Sequence, residues 1–184
     1  MTLKFSYDGN LLAFSEVSRN GFFLHIYKFP EMKKSITMLE HSNFIHDIDW
    51  LKQKNYEIQR IVTASSDFTA IVWKLEGDNY TYTILPHPAF VYAAKFLQRE
   101  DSEAVSVVTA GRDSIIRIWR NRQGMQSFEL VQELKHPIVN KFTYITSIVT
   151  RNADTFYTSS STGDIIEWTM RSSRDYHLNR NFRL

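Results

Sequence analysis

Apolar and polar positions along the chain fall into short runs, and the runs repeat. Three stretches align without a gap: Ile61-Val62-Thr63-Ala64-Ser65-Ser66-Asp67, Val107-Val108-Thr109-Ala110-Gly111-Arg112-Asp113 and Phe156-Tyr157-Thr158-Ser159-Ser160-Ser161-Thr162. Each leads into a second apolar run that carries a tryptophan, so that Trp73, Trp119 and Trp168 follow Thr63, Thr109 and Thr158 by ten residues. The tryptophans lie 46 and then 49 residues apart, near the period of about 40 to 45 at which four-stranded blades recur. Histidines keep the same step. His41, His87 and His136 each stand 26 residues ahead of the turn position held by Asp67, Asp113 and Thr162. In the last unit that agreement is partly fortuitous, since the following strand starts later.

The best-formed unit predicts strands over Phe44 to Leu51, Arg60 to Ser65, Ala70 to Lys74 and Tyr80 to Leu85, joined by polar hairpins. An earlier, degenerate unit opens with a strand from Leu3 into the Asp8-Gly9 turn and continues over Leu11 to Phe14 and Phe22 to Tyr27. That unit has no tryptophan or turn aspartate at the expected places. The fold class expected is all-β: four four-stranded antiparallel blades of an incomplete, open β-propeller. The blades divide the chain as 1–40, 41–86, 87–135 and 136–184, the last taking in a basic C-terminal end. Exposed strand edges in such a set predict closure by further blades or by self-association.

The repeated residues suggest chemistry, because histidine, hydroxyl and carboxylate are the parts of a catalytic triad. Repetition argues against it. An enzyme needs one such set, whereas here His41-Thr63-Asp67-Trp73 and His87-Thr109-Asp113-Trp119 are complete and His136-Thr158-Trp168 is partial; polar groups that recur with the period of the fold are structural. The expected arrangement has the carboxylate accepting from the imidazole, the imidazole meeting the hydroxyl, and the hydroxyl accepting from the indole. Thr162 cannot supply the charged partner, so the last network should be weak or absent; Asp164 is near but two residues late.

Composition adds exclusions. Aromatic residues make up 14% of the chain and suit pleated surfaces. There is no cysteine, hence no disulfide or thiolate site, which fits a reducing compartment, and cytoplasm is the expected location. The N-terminal residues do not read as a signal peptide, and no apolar run is long enough for membrane insertion. The sequon at Asn79-Tyr80-Thr81 is expected to be idle. A net charge of +2 names no bulk partner and gives no specific nucleic-acid reading. Arg171, Arg174, Arg180 and Arg183 near the end either contact phosphates or an acidic protein, or belong to a solvated tail. No phosphate-binding loop, Gly-x-Ser-x-Gly or His-Glu-x-x-His motif is present. The cluster His41 to Asp49 does not converge on a metal, because His46 and Asp47 alternate across a strand. No enzyme activity, cofactor, metal or small-molecule substrate is expected.

With these motifs in view the chain resembles the WD-repeat family. The resemblance rests on Leu85-Pro86-His87-Pro88-Ala89-Phe90-Val91-Tyr92-Ala93-Ala94-Lys95-Phe96, on Asp113-Ser114-Ile115-Ile116-Arg117-Ile118-Trp119, on Thr63-Ala64-Ser65-Ser66-Asp67 and on Thr162-Gly163-Asp164-Ile165-Ile166-Glu167-Trp168. It runs from about Leu3 to Trp168 and covers only the first four blades of a longer propeller. The double-proline setting of His87 is unusual among such repeats, and within the family it resembles a scaffold of the ciliary basal body, centrosome and transition zone. That resemblance implies a role in cilium assembly with transition-zone proteins as partners. The alternative is a peptide-reading adaptor elsewhere, such as a ubiquitin-ligase substrate receptor or a chromatin reader.

A partner would meet loops held rigid by the blades. The innermost strands open on Phe44 with His46, Phe90 with Tyr92, and Tyr144 with Thr146, and Ser66, Arg112 and Ser161 precede the turn positions on the same rim. Arg112 among aromatics suits an acidic or phosphorylated peptide. Two readings stand open: these rings bind, or they fill the central layer.

Overall fold

A computed structural model of the chain describes residues 1–52, 58–97, 104–121, 127–137, 142–171 and 175–183, and the regular structure in them is entirely β. The first blade comprises β1 (Leu3–Phe5), β2 (Leu11–Ser18), β3 (Gly21–Lys28) and β4 (Lys33–Met38). The second comprises β5 (Ile45–Trp50), β6 (Ile58–Ser65), β7 (Thr69–Glu76) and β8 (Asn79–Pro86). In the third are β9 (Val91–Leu97), β10 (Ser106–Gly111), β11 (Ile115–Asn121) and β12 (Phe128–Lys135). The fourth holds β13 (Ile145–Asn152), β14 (Thr155–Ser160), β15 (Asp164–Met170) and β16 (Tyr176–Arg183). Each blade is an antiparallel sheet in chain order. The strands β5, β9 and β13 lie side by side, with β1 against β5, so the blades follow one another around an open arc.

Strand alternation gives each blade two faces, and adjacent blades bury apolar faces against each other. Ala13, Leu24, Ile26 and Met38 of the first blade meet Ile48, Trp50, Ile61, Ile71 and Trp73 of the second. On its other face the second blade presents Val62, Ala64, Ala70, Val72 and Leu85 to Ala94, Phe96, Val107 and Trp119 of the third. Val108, Ala110, Ile116 and Ile118 then meet Ile148, Phe156, Ile166 and Trp168 of the fourth. Carboxylates of β5 tie the neighbouring edge: Asp47 accepts from Ala94 N–H at 3.1 Å and pairs with Lys95 at 2.7 Å, and Asp49 accepts from Phe96 N–H at 3.0 Å. The Trp50 indole donates to Lys4 O of β1 at 3.0 Å.

The two terminal faces differ. In the second blade one cross-strand row reads Asp49, Val62, Val72, Thr83, and in the third Lys95, Val108, Ile118, Gln132. The matching row of the fourth is Val149, Tyr157, Glu167, Arg180. Aliphatic centres are thus replaced by a phenol and a carboxylate, and Glu167 accepts from Tyr157 at 2.7 Å and from Asn179 at 2.6 Å. The outer face of the first blade instead carries aromatics, with Phe5 packed on Phe29 and Phe14 on Tyr27, beside the cross-strand row Phe14, His25, Thr37.

The solvated basic tail considered in the sequence is a strand from Tyr176 onward. Tyr176 is buried and exchanges hydrogen bonds with Gln132 of the third blade, its N–H donating to Oε1 at 2.9 Å and its carbonyl accepting from Nε2 at 2.8 Å. Arg180 lies along Glu167, whereas Arg174 lies outside the described residues.

Candidate functional site

The repeated polar residues sit in the interblade cores. In the second blade the Trp73 indole donates to Thr63 Oγ1 at 2.9 Å, Thr63 Oγ1 lies 2.7 Å from His41 Nε2, and His41 Nδ1 lies 2.7 Å from Asp67 Oδ2. The carboxylate fixes one direction, since Nδ1 carries the proton given to Asp67, while Thr63 Oγ1 accepts from the indole, meets Nε2 and lies 3.4 Å from Ile71 O. Asp67 also accepts from Thr69 and from Ser42 N–H.

The third blade departs from this pattern. Trp119 donates to Thr109 at 2.9 Å and Thr109 meets His87 Nε2 at 2.8 Å, but His87 Nδ1 donates to Leu85 O at 2.9 Å instead of to Asp113. The register explains the change. Ile71 and Ile166 stand opposite Thr63 and Thr158, while Arg117 stands opposite Thr109. Its buried guanidinium approaches Asp113 Oδ2 to 2.7 Å, an ion pair without hydrogen-bond alignment, and Arg117 Nε reaches Glu133 at 2.9 Å. A carboxylate beside an arginine is held there, so His87 takes a backbone partner.

In the fourth blade Trp168 donates to Thr158 at 2.9 Å, but His136 makes no hydrogen bond through either ring nitrogen among the described residues. Thr162 donates to Asp164 at 2.8 Å, so the hydroxyl at the turn binds the late aspartate rather than the histidine. The first blade builds its own version, with His25 between Thr37 and Glu16, each at 3.0 Å. No spacing rule pointed to that set.

Titration follows burial. Burial pushes His87 down to about 4 from 6.5, and it also lowers His25, His46 and His136. Burial raises Asp67, yet the hydrogen bond and charge of His41, with help from Thr69 and Ser42, outweigh it and hold the carboxyl at about 2. Both signs point the same way. The unfolded chain takes up protons first, so each contribution is complete above the unfolded value and is lost as pH falls to the folded one. Stability should therefore fall first between pH 6.5 and about 4, where His87 contributes about 3 kcal/mol, and again between 3.8 and about 2, where Asp67 contributes about 2 kcal/mol. Urea midpoints across pH would check this: in His87→Gln the first step should shrink and the second remain.

At the rim the structure brings the predicted residues together. Phe44 is half exposed and packs on Phe22 at 5.3 Å. His46 meets Ser66 Oγ at 2.5 Å and the Tyr92 ring at 5.2 Å; Tyr92 in turn meets Tyr144 at 5.5 Å. Phe90 stacks on Phe68 at 5.3 Å and contacts Tyr92 at 6.4 Å, with the Arg112 guanidinium 5.6 Å from its centroid. Thr146 bonds Ser159, and Ser161 Oγ accepts from Tyr144 N–H. The rings form a strip across consecutive blades, held by matched backbone bonds from the turns: Ser66 N–H to Phe44 O, Arg112 N–H to Phe90 O and Ser161 N–H to Tyr144 O. Phe22, Phe68 and the exposed Phe142 escaped the sequence reading, since Phe22 and Phe68 lie at hairpins and Phe142 lies in the connection leading to β13. No group of three or more histidine, aspartate or glutamate side chains suited to a metal occurs among the described residues, and none of them forms a helix long and apolar enough to cross a membrane.

Comparisons with known proteins agree with this architecture. Residues 32–74 match the family described as WD domain, G-beta repeat. A crystal structure of Chaetomium thermophilum Raptor superposes with a TM-score of 0.72 over 99% of this chain and 16% of the other, at 15% identity, a likeness of fold alone. Sheets, repeats and this partial family match make the chain similar to WD-repeat proteins, in the form of four consecutive blades of an open propeller. Within that class the chain is jouberin-like: jouberin from Rattus norvegicus and from Mus musculus are each 40% identical to it over 74 residues. The match takes in 40% of this chain and spans 7% of either relative's length.

Proposed function

We propose that the chain is a non-catalytic scaffold that binds other proteins through the ring strip, and that it acts in cilium assembly at the basal body and transition zone, where the likeness to jouberin would place it. The observation that carries the binding reading is the strip itself. Phe44, Phe68 and Tyr144 remain between 39% and 51% exposed although they touch other rings, and exposed aromatics on a rigid frame are the side chains that dominate protein interfaces. The histidine–hydroxyl sets support a structural role, because their members are interior and engage one another. The aromatic side chains on the outer face of the first blade support pairing with a further blade or a second copy.

Proximity labelling with the tagged chain in ciliated cells tests the proposal, with Arg112→Glu as the variant. Transition-zone proteins should be enriched, and the charge reversal should reduce their labelling several-fold. Enrichment of ubiquitin-ligase subunits or histones instead would move the protein to another assembly. Labelling that Arg112→Glu leaves unchanged would remove Arg112 from the binding surface.

A further inference from the structure

Phe68 stands directly after Asp67 in the β6–β7 turn, with φ at 70°. The corresponding turn positions of the third and fourth blades are Ser114 at 59° and Gly163 at 86°, both small, and only the glycine adopts left-handed backbone without steric cost. A phenylalanine in that conformation carries strain, and 48% of the residue nevertheless stays exposed. The turn itself does not call for an aromatic side chain; the packing partner of the ring is Phe90 of the next blade. Strained residues that the surrounding structure holds in place cluster where binding requires them.

The surroundings indicate what would bind. The Phe68 ring lies nearly parallel to Phe90, with 22° between the planes, and the Arg112 guanidinium lies over the Phe90 ring, 5.6 Å from its centroid. Acids near this end of the blades are already engaged: Asp67 serves His41, Ser42 and Thr69, Asp113 faces Arg117, and Glu40 holds Tyr80 and Leu39 N–H. The Arg112 side chain is exposed and has no carboxylate partner among the described residues. An apolar shelf beside one outward cation complements a peptide with an apolar side chain next to a carboxylate. A nucleic-acid strand would need a row of cations along the rings, whereas among the described residues Arg112 is the cation that lies over a ring of the strip.

We infer, resting on the rim reading above, that Phe68 is a binding residue: with Phe90 it seats an apolar side chain of an acidic peptide segment whose carboxylate pairs with Arg112. Phe44 and Tyr144 extend the strip on either side, so the segment lies extended across blades.

Selection from a random peptide library on the intact chain, followed by anisotropy titration of the selected peptide, tests this. Selected sequences should carry aspartate or glutamate beside leucine, isoleucine, valine or phenylalanine. Phe68→Gly should weaken binding about tenfold without lowering Tm, a combination that a purely structural side chain would not give. Phe68→Asn, which also tolerates left-handed backbone, should repeat the result, and Arg112→Gln should weaken binding and flatten its salt dependence. Wild-type affinity in both Phe68 variants, or peptides without acidic preference, would overturn the inference. If Phe44→Ser and Tyr144→Ser weaken binding while the Phe68 variants do not, the rim reading survives and this inference fails. If the rim variants all bind normally, or no peptide is selected, both fail.

Discussion

Trp73→Ala is expected to cost about 4 kcal/mol of stability, among the largest losses any single substitution in this chain should produce. The side chain is fully buried between the first and second blades. It touches His41 and Tyr80, and its N–H satisfies Thr63. Truncation opens a cavity that rigid sheets cannot close, and it leaves the Thr63 oxygen without its donor. Thr63→Val isolates the second effect: with no change of shape it strands both the indole N–H and His41 Nε2, for an expected loss of about 2 kcal/mol. Denaturant midpoints of the two variants give the comparison. A loss under about 1 kcal/mol for Trp73→Ala would mean that the interblade cores do not hold the blades together.

Gly111→Ala should be comparably damaging, for a different reason. At this position β10 shifts register against β9, and the backbone passes so close to Phe90 that an added Cβ would lie 2.0 Å from its carbonyl oxygen and 2.9 Å from its carbonyl carbon and from Val91 Cα. These atoms are backbone and cannot swing aside. The strand must move, and we expect a loss of about 3 kcal/mol together with displacement of Phe90 and Arg112 and weaker partner binding. Gly163→Ala offers the contrast: nothing lies within 4 Å of the added methyl, and only the left-handed φ of 86° opposes it, for about 1 kcal/mol. Equal losses at the two glycines, read from the same denaturation curves, would contradict the clash.

The fold was legible because it is written several times over. Thr63, Thr109 and Thr158 with Trp73, Trp119 and Trp168 occupy equivalent register positions, and a residue required by the interblade contact recurs wherever that contact recurs. What did not repeat was harder to read. Spacing set Asp113 to repeat the work of Asp67, but spacing along one strand pair does not reveal that Arg117 replaces an isoleucine across the sheet and draws the carboxylate away. The network of His25, Glu16 and Thr37 has no counterpart by which to find it. Basic residues near the end suggested a tail because their number masked the alternation that buries Tyr176 while Arg180 points outward. The rim was half visible. Phe44, Phe90 and Tyr144 stand at matching places, whereas Phe68 stands where the other blades have Ser114 or Gly163, and only the turn geometry brings it onto Phe90.

Whether the strip recognises a partner or merely packs is decided by one comparison: Tm and transition-zone labelling in ciliated cells for the triple variant Phe44→Ser, Tyr92→Ser, Tyr144→Ser. The account predicts that labelling falls at least tenfold while Tm drops by only a few degrees, because Phe44 and Tyr144 are exposed, Tyr92 is only partly buried, and none of them belongs to the three interblade cores. Full labelling by a strongly destabilised triple variant would contradict it and make the rings part of the core.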